Sequence, residues 1–534
     1  MRFALLVSGI VTFCQAMVLP GVIDTVGGTT YDNQNSGPSL QWLATDPEYG
    51  IHVTWMSSAR PQGSGWPDRT MKYNFYDKET GEWSWIDPQD FMLSGMNSQS
   101  QRTGYGTLEP EPTHGAALIA CHYNAGGMPP QFTPIVARDL EPGSGIFDYC
   151  NGAPNLTGYF LPVIATSSNE TIHLLLIKFA SADNLYYTRS TTWCNWENPT
   201  GWSQTGAFGH NIIASHESNT VLATWMTGHN DSLALNYRVS TDAGANWDPI
   251  QQLEPPQAYG GDTITVCATG ASGLFDRSDN WVLVTTLLPA IGDTAYQNPA
   301  QLWIYNSRTS EWHRIHRAES HSLAGGFGSH AAICDRPSLG QNPETGRLYV
   351  AWEQFDSTNV EPSTNLLRAE IWLAYSDNGV NWTDPARLTS QDESSKRFPV
   401  IGRNCSGDSL AVFFEQDCIA GFNSDEVGAV SNNPICVWQG QAIGIREQKQ
   451  TDIKFLNSFP NPGKRFVFES GTTEYRNSDL YIFDIKGELV RRIPSQTGSW
   501  TWNGKDESGH NVQLGCYLAS WRGRNIKIKL VVIR

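Results

Sequence analysis

The strongest constraint on the fold is a recurrence. Seven times along the chain a polar or aromatic residue opens a short apolar run, a Gly/Asn/Asp turn follows, and a second apolar run ends, in most copies, in Trp or another aromatic. The copies begin near Ser39, Thr103, Tyr159, His210, Tyr259, Arg336 and Arg397. The first (SLQWLATDPEYGIHVTWM) and the sixth (RPSLGQNPETGRLYVAWE) match closely: Asp46-Pro47-Glu48-Tyr49-Gly50 parallels Asn342-Pro343-Glu344-Thr345-Gly346. Most copies carry a second hairpin, such as Met71 to Trp85 or Glu370 to Trp382. Two hairpins make four strands, and the repeat length is roughly 60 residues. A four-stranded sheet that is apolar on both faces cannot bury itself, whereas a radial stack lets each sheet cover its neighbours. The pattern predicts an all-β chain with a seven-bladed β-propeller over residues 26–446, or six blades if the second copy elaborates the first. The polar lead-in Val26 to Pro38 is a candidate for the strand that closes the ring.

One turn recurs within this frame. Ser240-Thr241-Asp242-Ala243-Gly244-Ala245-Asn246-Trp247 reads S-x-D-x-G-x-x-W. Asp caps backbone N–H groups, Gly takes the positive-φ position, and the Trp folds back as an apolar plug. A second copy, Tyr375 to Trp382, keeps Asp377, Gly379 and Trp382 but has Tyr where the first Ser belongs. The motif resembles the Asp-box (BNR repeat) of sialidase-like β-propellers. Ser240, Asp242, Gly244 and Trp247, with Asp377, Gly379 and Trp382, are expected to be structural: they mark blades and carry no reaction.

The chain of 534 residues is too long for one ordinary core. Its 49 Gly and 20 Trp, with only 17% charged residues, suit turn-rich sheet structure. A formal net charge of -17 argues against nucleic acid and anionic membrane surfaces as partners. Met1 to Ala16 reads as a secretory signal, with Arg2, a mainly apolar run and a small residue at its end. No later stretch is apolar enough to span a bilayer as a helix, so the mature chain is expected to have no membrane span. Ten Cys are present without CxxC spacing, which gives no zinc site. Cys418 and Cys436 are either a disulfide across one blade or buried apolar thiols.

Composition changes after Trp438. A polar linker leads into a compact unit, 452–534. Its landmarks are Phe459-Pro460-Asn461-Pro462, Leu480-Tyr481-Ile482-Phe483-Asp484-Ile485-Lys486-Gly487, Trp500-Thr501-Trp502-Asn503-Gly504, Gly515-Cys516-Tyr517 and the closing Lys529 to Arg534. In this order they resemble the C-terminal sorting domain of proteins exported by the bacterial type IX system, similar to the Ig-like domain of flagellar hook-capping proteins. The resemblance implies a β-sandwich read by the secretion machinery, and an extracellular or cell-surface address reached through the periplasm.

Propellers place ligands where the innermost strands begin. The polar residues there are Arg102, Tyr105, Tyr159, His210, Tyr259, Asp262, His330, Asp335, Arg336 and Arg397. The sialidase resemblance implies an arginine triad holding a sugar carboxylate, a Tyr nucleophile with a Glu base, and an Asp acid. Arg102, Arg336 and Arg397 are the candidate triad. Tyr105, Tyr159 or Tyr259 is the candidate nucleophile, Glu353 or Glu415 its base, and Asp262 or Asp335 the acid. The Arg-Ile-Pro signature of sialidases is absent; Arg397-Phe398-Pro399 is a loose analogue in another part of the chain. The reading is therefore non-catalytic binding of an extracellular glycan or protein, with an exo-acting sialidase-type hydrolase as the alternative. No cofactor is called for, and the histidines lack metal-ligand spacing.

Overall fold

The computed structural model describes residues 18–442 and 465–533, apart from 36, 38–39, 60–64, 125, 127–130, 153, 179–183, 203–205, 229–233, 260–262, 293, 406, 470–478, 485, 487, 495–498 and 522–527. The expected signal segment, Asp262 and the Phe459–Pro462 landmark lie outside the described residues. Contacts divide the chain into two units, Met1–Gly444 and Ile445–Arg534.

The first unit holds seven sheets of four or five strands among the described residues. Their first strands are Leu43–Asp46, Thr103–Pro110, Tyr159–Thr166, Phe208–Ala214, Ile264–Phe275, Cys334–Gln341 and Ser395–Ile401. Each first strand lies beside the first strand of the next sheet, and the seventh lies beside the first. That closed cycle of antiparallel sheets is a β-propeller. The seventh sheet takes only three strands from the end of the unit. Its fourth is Gly21–Thr29, paired along Asn433–Gln441. The closing strand thus begins before the expected boundary at Val26.

Apolar clusters fill the gaps between successive sheets. Val53 and Trp55 meet Phe398 and Val437 between the first and seventh. Leu175 and Tyr187 meet Trp225 between the third and fourth. Val284 and Ile304 meet Trp352 between the fifth and sixth. Each fully buried side chain of this kind contributes about 1.5–3 kcal/mol. The closing strand is shaped for the same purpose. A Cβ at Gly27 would lie 2.0 Å from the Trp55 ring, so only glycine lets the strand close over that indole.

The two predicted turns differ in register. In the first, the Ser240 hydroxyl donates to Asp242 Oδ1 at 2.8 Å and accepts from the Gly244 N–H at 2.9 Å. The Asn246 N–H and side-chain amide both donate to the Asp242 carboxylate, at 2.8 and 2.7 Å. These bonds hold the carboxyl down to about 2. Gly244 has φ 75°, and an added Cβ would strike the Tyr187 hydroxyl at 1.7 Å. Trp247 packs edge-on against Tyr187 and Trp202. In the second turn Ser376 accepts from the Gly379 N–H, and Asn378 Oδ1 receives the Asn381 N–H at 2.8 Å. Asn378, not Asp377, plays the capping part. The loop from Ser to Gly is one residue shorter, and Asp377 turns outward to meet Arg347 Nε at 2.6 Å. Trp382 packs against the core between the fifth and sixth sheets.

Cys150 and Cys194 form a disulfide that joins the last strand of the second sheet to the loop after Leu185–Ser190 of the third. Cys418 and Cys436 are free thiols, the first partly and the second fully buried. In the second unit a two-stranded sheet and a four-stranded sheet share one core, with Phe466, Trp500 and Trp502 from one and Leu480, Ile482, Tyr517, Ala519 and Leu530 from the other. This is a small β-sandwich.

The disulfide closes a loop of sequence separation 44. Replacing both cysteines by Ser should lower stability by about 2–4 kcal/mol. Denaturant midpoints of the double variant and of the oxidised parent check this; equal midpoints would show that the neighbouring sheets already fix the loop.

Candidate functional site

Six of the seven first strands share a distortion. Their pairing with the second strand slips between Gly104 and Thr107, Phe160 and Val163, Phe208 and Asn211, Cys267 and Ala271, Asp335 and Ser338, and Arg397 and Val400. Each bulge contains a residue at positive φ: Tyr105 (51°), Leu161 (51°), Gly209 (55°), Gly270 (112°), Arg336 (49°) and Phe398 (58°). Four of these carry bulky side chains in a region that favours glycine, which costs of order 1–3 kcal/mol each. Bulges re-aim side chains near sites. Here they turn Tyr105, Arg336 and Phe398 out of strand alternation.

On the sixth and seventh sheets the bulges build a buried ion network. Arg336 Nη1 donates to Glu353 Oε1 at 2.6 Å, and its Nη2 donates to the His330 carbonyl at 2.6 Å. Arg397 reaches the same carboxylate from the next sheet, with Nε to Oε2 and Nη2 to Oε1 both at 3.1 Å. The Phe398 N–H adds a bond of 3.0 Å to Oε2. Arg336 and Glu353 are 0% exposed and Arg397 is 2% exposed. Phe398 lies under both guanidiniums, 4.9 Å from Arg336 and 5.5 Å from Arg397. Burial works against the Glu353 charge, but Arg397, Arg336 and the Phe398 N–H hold the carboxyl below its usual range. Asp335 accepts from the Thr286 hydroxyl at 2.7 Å and is pushed up by burial.

Glu415 stands directly across from Arg397 in the register. It forms a different group with Asp417 and with Asp32, which follows the closing strand. Asp32 Oδ1, Glu415 Oε2 and Asp417 Oδ2 are buried without a hydrogen-bond partner among the described residues. Asp32 Oδ2 accepts from the Asn423 N–H at 2.6 Å, and Glu415 Oε1 accepts from the Asn433 amide at 3.3 Å. Burial first, then mutual repulsion, pushes Glu415 and Asp417 well up; burial moves Asp32 to about 6. All three carboxyls are thus raised by burial, Glu415 and Asp417 further than Asp32. No set of three or more His, Cys, Asp or Glu among the described residues is arranged to hold a metal ion.

The first and second sheets assemble another cluster. Arg69 Cζ lies 5.1 Å from the Tyr31 ring and 5.1 Å from the Tyr105 ring. The two hydroxyls of Tyr31 and Tyr105 are 2.6 Å apart. Tyr31 meets Trp66 edge-on at 5.0 Å, and Tyr105 stacks on His122 at 6.0 Å and 9°. Arg102 donates to the Trp66 and Gly65 carbonyls at 3.0 and 2.6 Å. Neither Arg69 nor Arg102 has a carboxylate within salt-bridge distance among the described residues, and Arg69 Nε is buried without a partner. Burial and the neighbouring Arg69 charge push Arg102 down. His122 Nδ1 accepts from the Leu161 N–H at 3.2 Å, and burial with the two guanidiniums moves the imidazole to about 3, so it is neutral.

The structure therefore separates the residues that the sialidase resemblance groups. Arg102 and Tyr105 sit together on the first and second sheets. Arg336, Arg397, Asp335 and Glu353 sit together on the sixth and seventh, and Glu415 belongs to the acid group. The Tyr105 hydroxyl meets Tyr31 rather than a Glu. Tyr259 donates to the Leu287 carbonyl at 2.8 Å, His210 bonds the Leu161 carbonyl at 2.8 Å, and Tyr159 packs edge-on against Tyr186. Sequence reading missed Arg69, Tyr31 and His122 as one cluster. The signal available was Pro or Gly one residue past the bulge: Gly106, Pro162, Pro337 and Pro399.

No protein-family model matches the chain, and no curated protein sequence matches it. Among solved structures it is similar to the polysaccharide lyase Uly1, with 10% identity, TM-score 0.43, and coverage of 80% of this chain and 94% of that one. It is similar to the phage phi92 endosialidase, with 10% identity, TM-score 0.41, and coverage of 95% and 79%. It is similar to a Penicillium chrysogenum α-L-arabinanase complexed with arabinobiose, with 10% identity, TM-score 0.39, and coverage of 79% and 99%. Likenesses this distant assign no residue. No helix among the described residues is long and apolar enough to cross a membrane.

Two substitutions should have opposite outcomes. Glu353→Gln leaves two buried guanidiniums without their shared carboxylate and should cost about 3–5 kcal/mol. Glu415→Gln replaces a carboxyl that burial pushes well up in the fold. A raised carboxyl contributes stability that is full below the unfolded value near 4 and is lost as pH rises through the folded value, at about 1.4 kcal/mol per pH unit while the gap lasts. Asp32, Asp417, Asn433, Gln34 and Arg397 face or adjoin this group, so the slope belongs to the set. Between pH 5 and 8 the melting temperature of Glu415→Gln should fall less steeply than that of the parent. Parallel curves would overturn the assignment of a raised carboxyl at Glu415.

Proposed function

We propose that the ring binds an extracellular glycan, without catalysis, at the cluster formed by Tyr31, Trp66, Arg69, Arg102, Tyr105 and His122. One observation carries the reading: among the described residues neither of two neighbouring guanidiniums has a carboxylate within salt-bridge distance, Asp68 acting on Arg102 only from further off, in a chain where acids outnumber bases 53 to 36. Their mutual repulsion is relieved by a ligand that brings acceptors, and a carboxylate or sulfate on a sugar suits the planar donor fork. Tyr105, half-buried at its bulge, offers a ring of the kind that lines sugar sites, with the buried rings of Tyr31 and Trp66 packed behind it.

Export fits this reading. The N-terminal segment has the pattern of a secretory signal, the Cys150–Cys194 disulfide suits an oxidising compartment, and the C-terminal sandwich carries landmarks similar to a type IX sorting domain. The seven sheets of the ring are read as seven blades, and the two Ser/Gly/Trp turns as Asp-boxes. The hydrolase alternative has less behind it. Arg336 and Arg397 are spent on Glu353 inside the protein, and Tyr105 has no Glu partner among the described residues.

Binding to an array of neutral, uronate-bearing and sulfated polysaccharides tests the proposal. At least one anionic glycan should bind, more weakly as salt rises. Arg69→Gln should weaken it by about tenfold, equivalent to about 1.4 kcal/mol. No release of saccharide should accompany binding. Unchanged affinity in Arg69→Gln and Arg102→Gln would remove this cluster from the reading, and sustained release of sugar would replace binding by catalysis.

A further inference from the structure

Between the fifth and sixth sheets the apolar core gives way, toward the outer strands, to a cavity of about 340 Å³. The register explains which side chains face it. Gln354 pairs with Glu370, Trp352 with Trp372, and Trp372 with Arg387, each across adjacent strands of the sixth sheet. Residues two apart on a strand share a face, so Gln354, Glu370, Trp372 and Arg387 stand on one side of that sheet. His316, from the last strand of the fifth sheet, packs 5.2 Å from Trp352 and so fixes which side that is.

The lining is chemically specific. Trp372 is half-buried against the core and presents a ring wall. Glu370 is 2% exposed; its carboxylate accepts from the Thr389 hydroxyl at 2.5 Å and from Lys396 Nζ at 3.3 Å. The Gln354 amide meets His316 Nε2 at 2.8 Å. Arg387 Nε is buried and has no hydrogen-bond partner among the described residues. Arg317 and Glu319 form a rim pair at 2.7 Å and remain 42% and 34% exposed on their side chains.

Three ligand classes are disfavoured by this set. An apolar molecule would leave the buried Arg387 Nε without a partner. A phosphate or sulfate would meet Arg387 and Arg317 but also the three acids Glu370, Asp356 and Glu319, which outnumber them. A metal lacks its ligand set among the described residues. A molecule with several vicinal hydroxyls meets every requirement, since each hydroxyl both donates and accepts while the C–H face of its ring lies on an indole. The volume falls at the small end of known ligand pockets, enough for one sugar ring and its linkage.

We propose that this cavity is a second saccharide site, which takes a single neutral sugar unit from the side of the ring. It does not depend on the cluster at Tyr105. The probes are the methyl glycosides of glucose, galactose, mannose and xylose, with methyl glucuronoside as the anionic control, observed by saturation-transfer NMR on the full chain. At least one neutral glycoside should receive transfer from the parent and equally from Arg69→Gln. Arg387→Gln should weaken that binding at least fivefold, and Trp372→Ala should abolish it. If Trp372→Ala does not fold, Arg387→Gln decides alone. No transfer to any neutral glycoside, an affinity unchanged by Arg387→Gln, or loss of binding in Arg69→Gln would each overturn the proposal. Because Arg69→Gln tests the other cluster, failure here and failure there are read separately.

Discussion

Everything in the first unit depends on one constraint: a small sheet with two apolar faces has no way to cover them alone. Val53, Trp55, Phe398 and Val437 belong to two sheets that are far apart in sequence, yet they form one cluster. The N-terminal strand Gly21–Thr29 makes this possible by completing the last sheet, so the first and last parts of the unit are held by backbone hydrogen bonds. The chain then runs on through Tyr31, Asp32 and Gln34, which reach both sides of the seam. Tyr31 meets Tyr105 on the second sheet, Asp32 accepts from Asn423 beside the seventh, and Gln34 bonds the backbone of Met56 on the first. The same segment therefore closes the ring and frames both the aromatic cluster and the acid group.

The seam also explains where charge is tolerated. A buried ion pair stabilises only when geometry and further hydrogen bonds offset desolvation. Glu353 meets that condition with two guanidiniums and a backbone N–H. Asp32, Glu415 and Asp417 do not, and burial pushes their carboxyls up toward the neutral form. Sheets six and seven are thus joined by ions as well as by apolar contacts.

Much of this was legible in the sequence. Thr103 and Tyr159 open their strands as read, and the copies begun at His210, Arg336 and Arg397 start within two residues of the observed strands. Alternation and turn chemistry carry that information locally. The turn at Tyr375–Trp382 was misread by one position because Asp and Asn cap alike, and only the hydrogen bonds show that Asn378 does so. Cys150 and Cys194 escaped because they meet across two sheets, and a thiol carries no sign of its partner. The arginines were found, but their directions were not: a bulge at positive φ decides whether Arg336 faces a ligand or Glu353, and a string of residues does not display φ. Arg69 lies in an irregular connection with no periodicity to mark it.

The Glu353 network sets a limit on what the ring can do with its arginines. To use Arg336 and Arg397 on a ligand carboxylate, the protein would have to release them from Glu353 and leave that acid buried and unpaired, at about 3–5 kcal/mol. A bidentate contact at a wet site returns less than this once the ligand's own desolvation is counted, because hydrogen bonds to charged groups net only about 1.5–3 kcal/mol. Arg69 and Arg102 carry no such debt. They already repel each other, and an incoming anion gains from both without breaking a bond to any described carboxylate. The ring thus has two guanidinium pairs of different use, one turned inward to hold two sheets together and one, a half-buried Arg69 and an exposed Arg102, beside Tyr105.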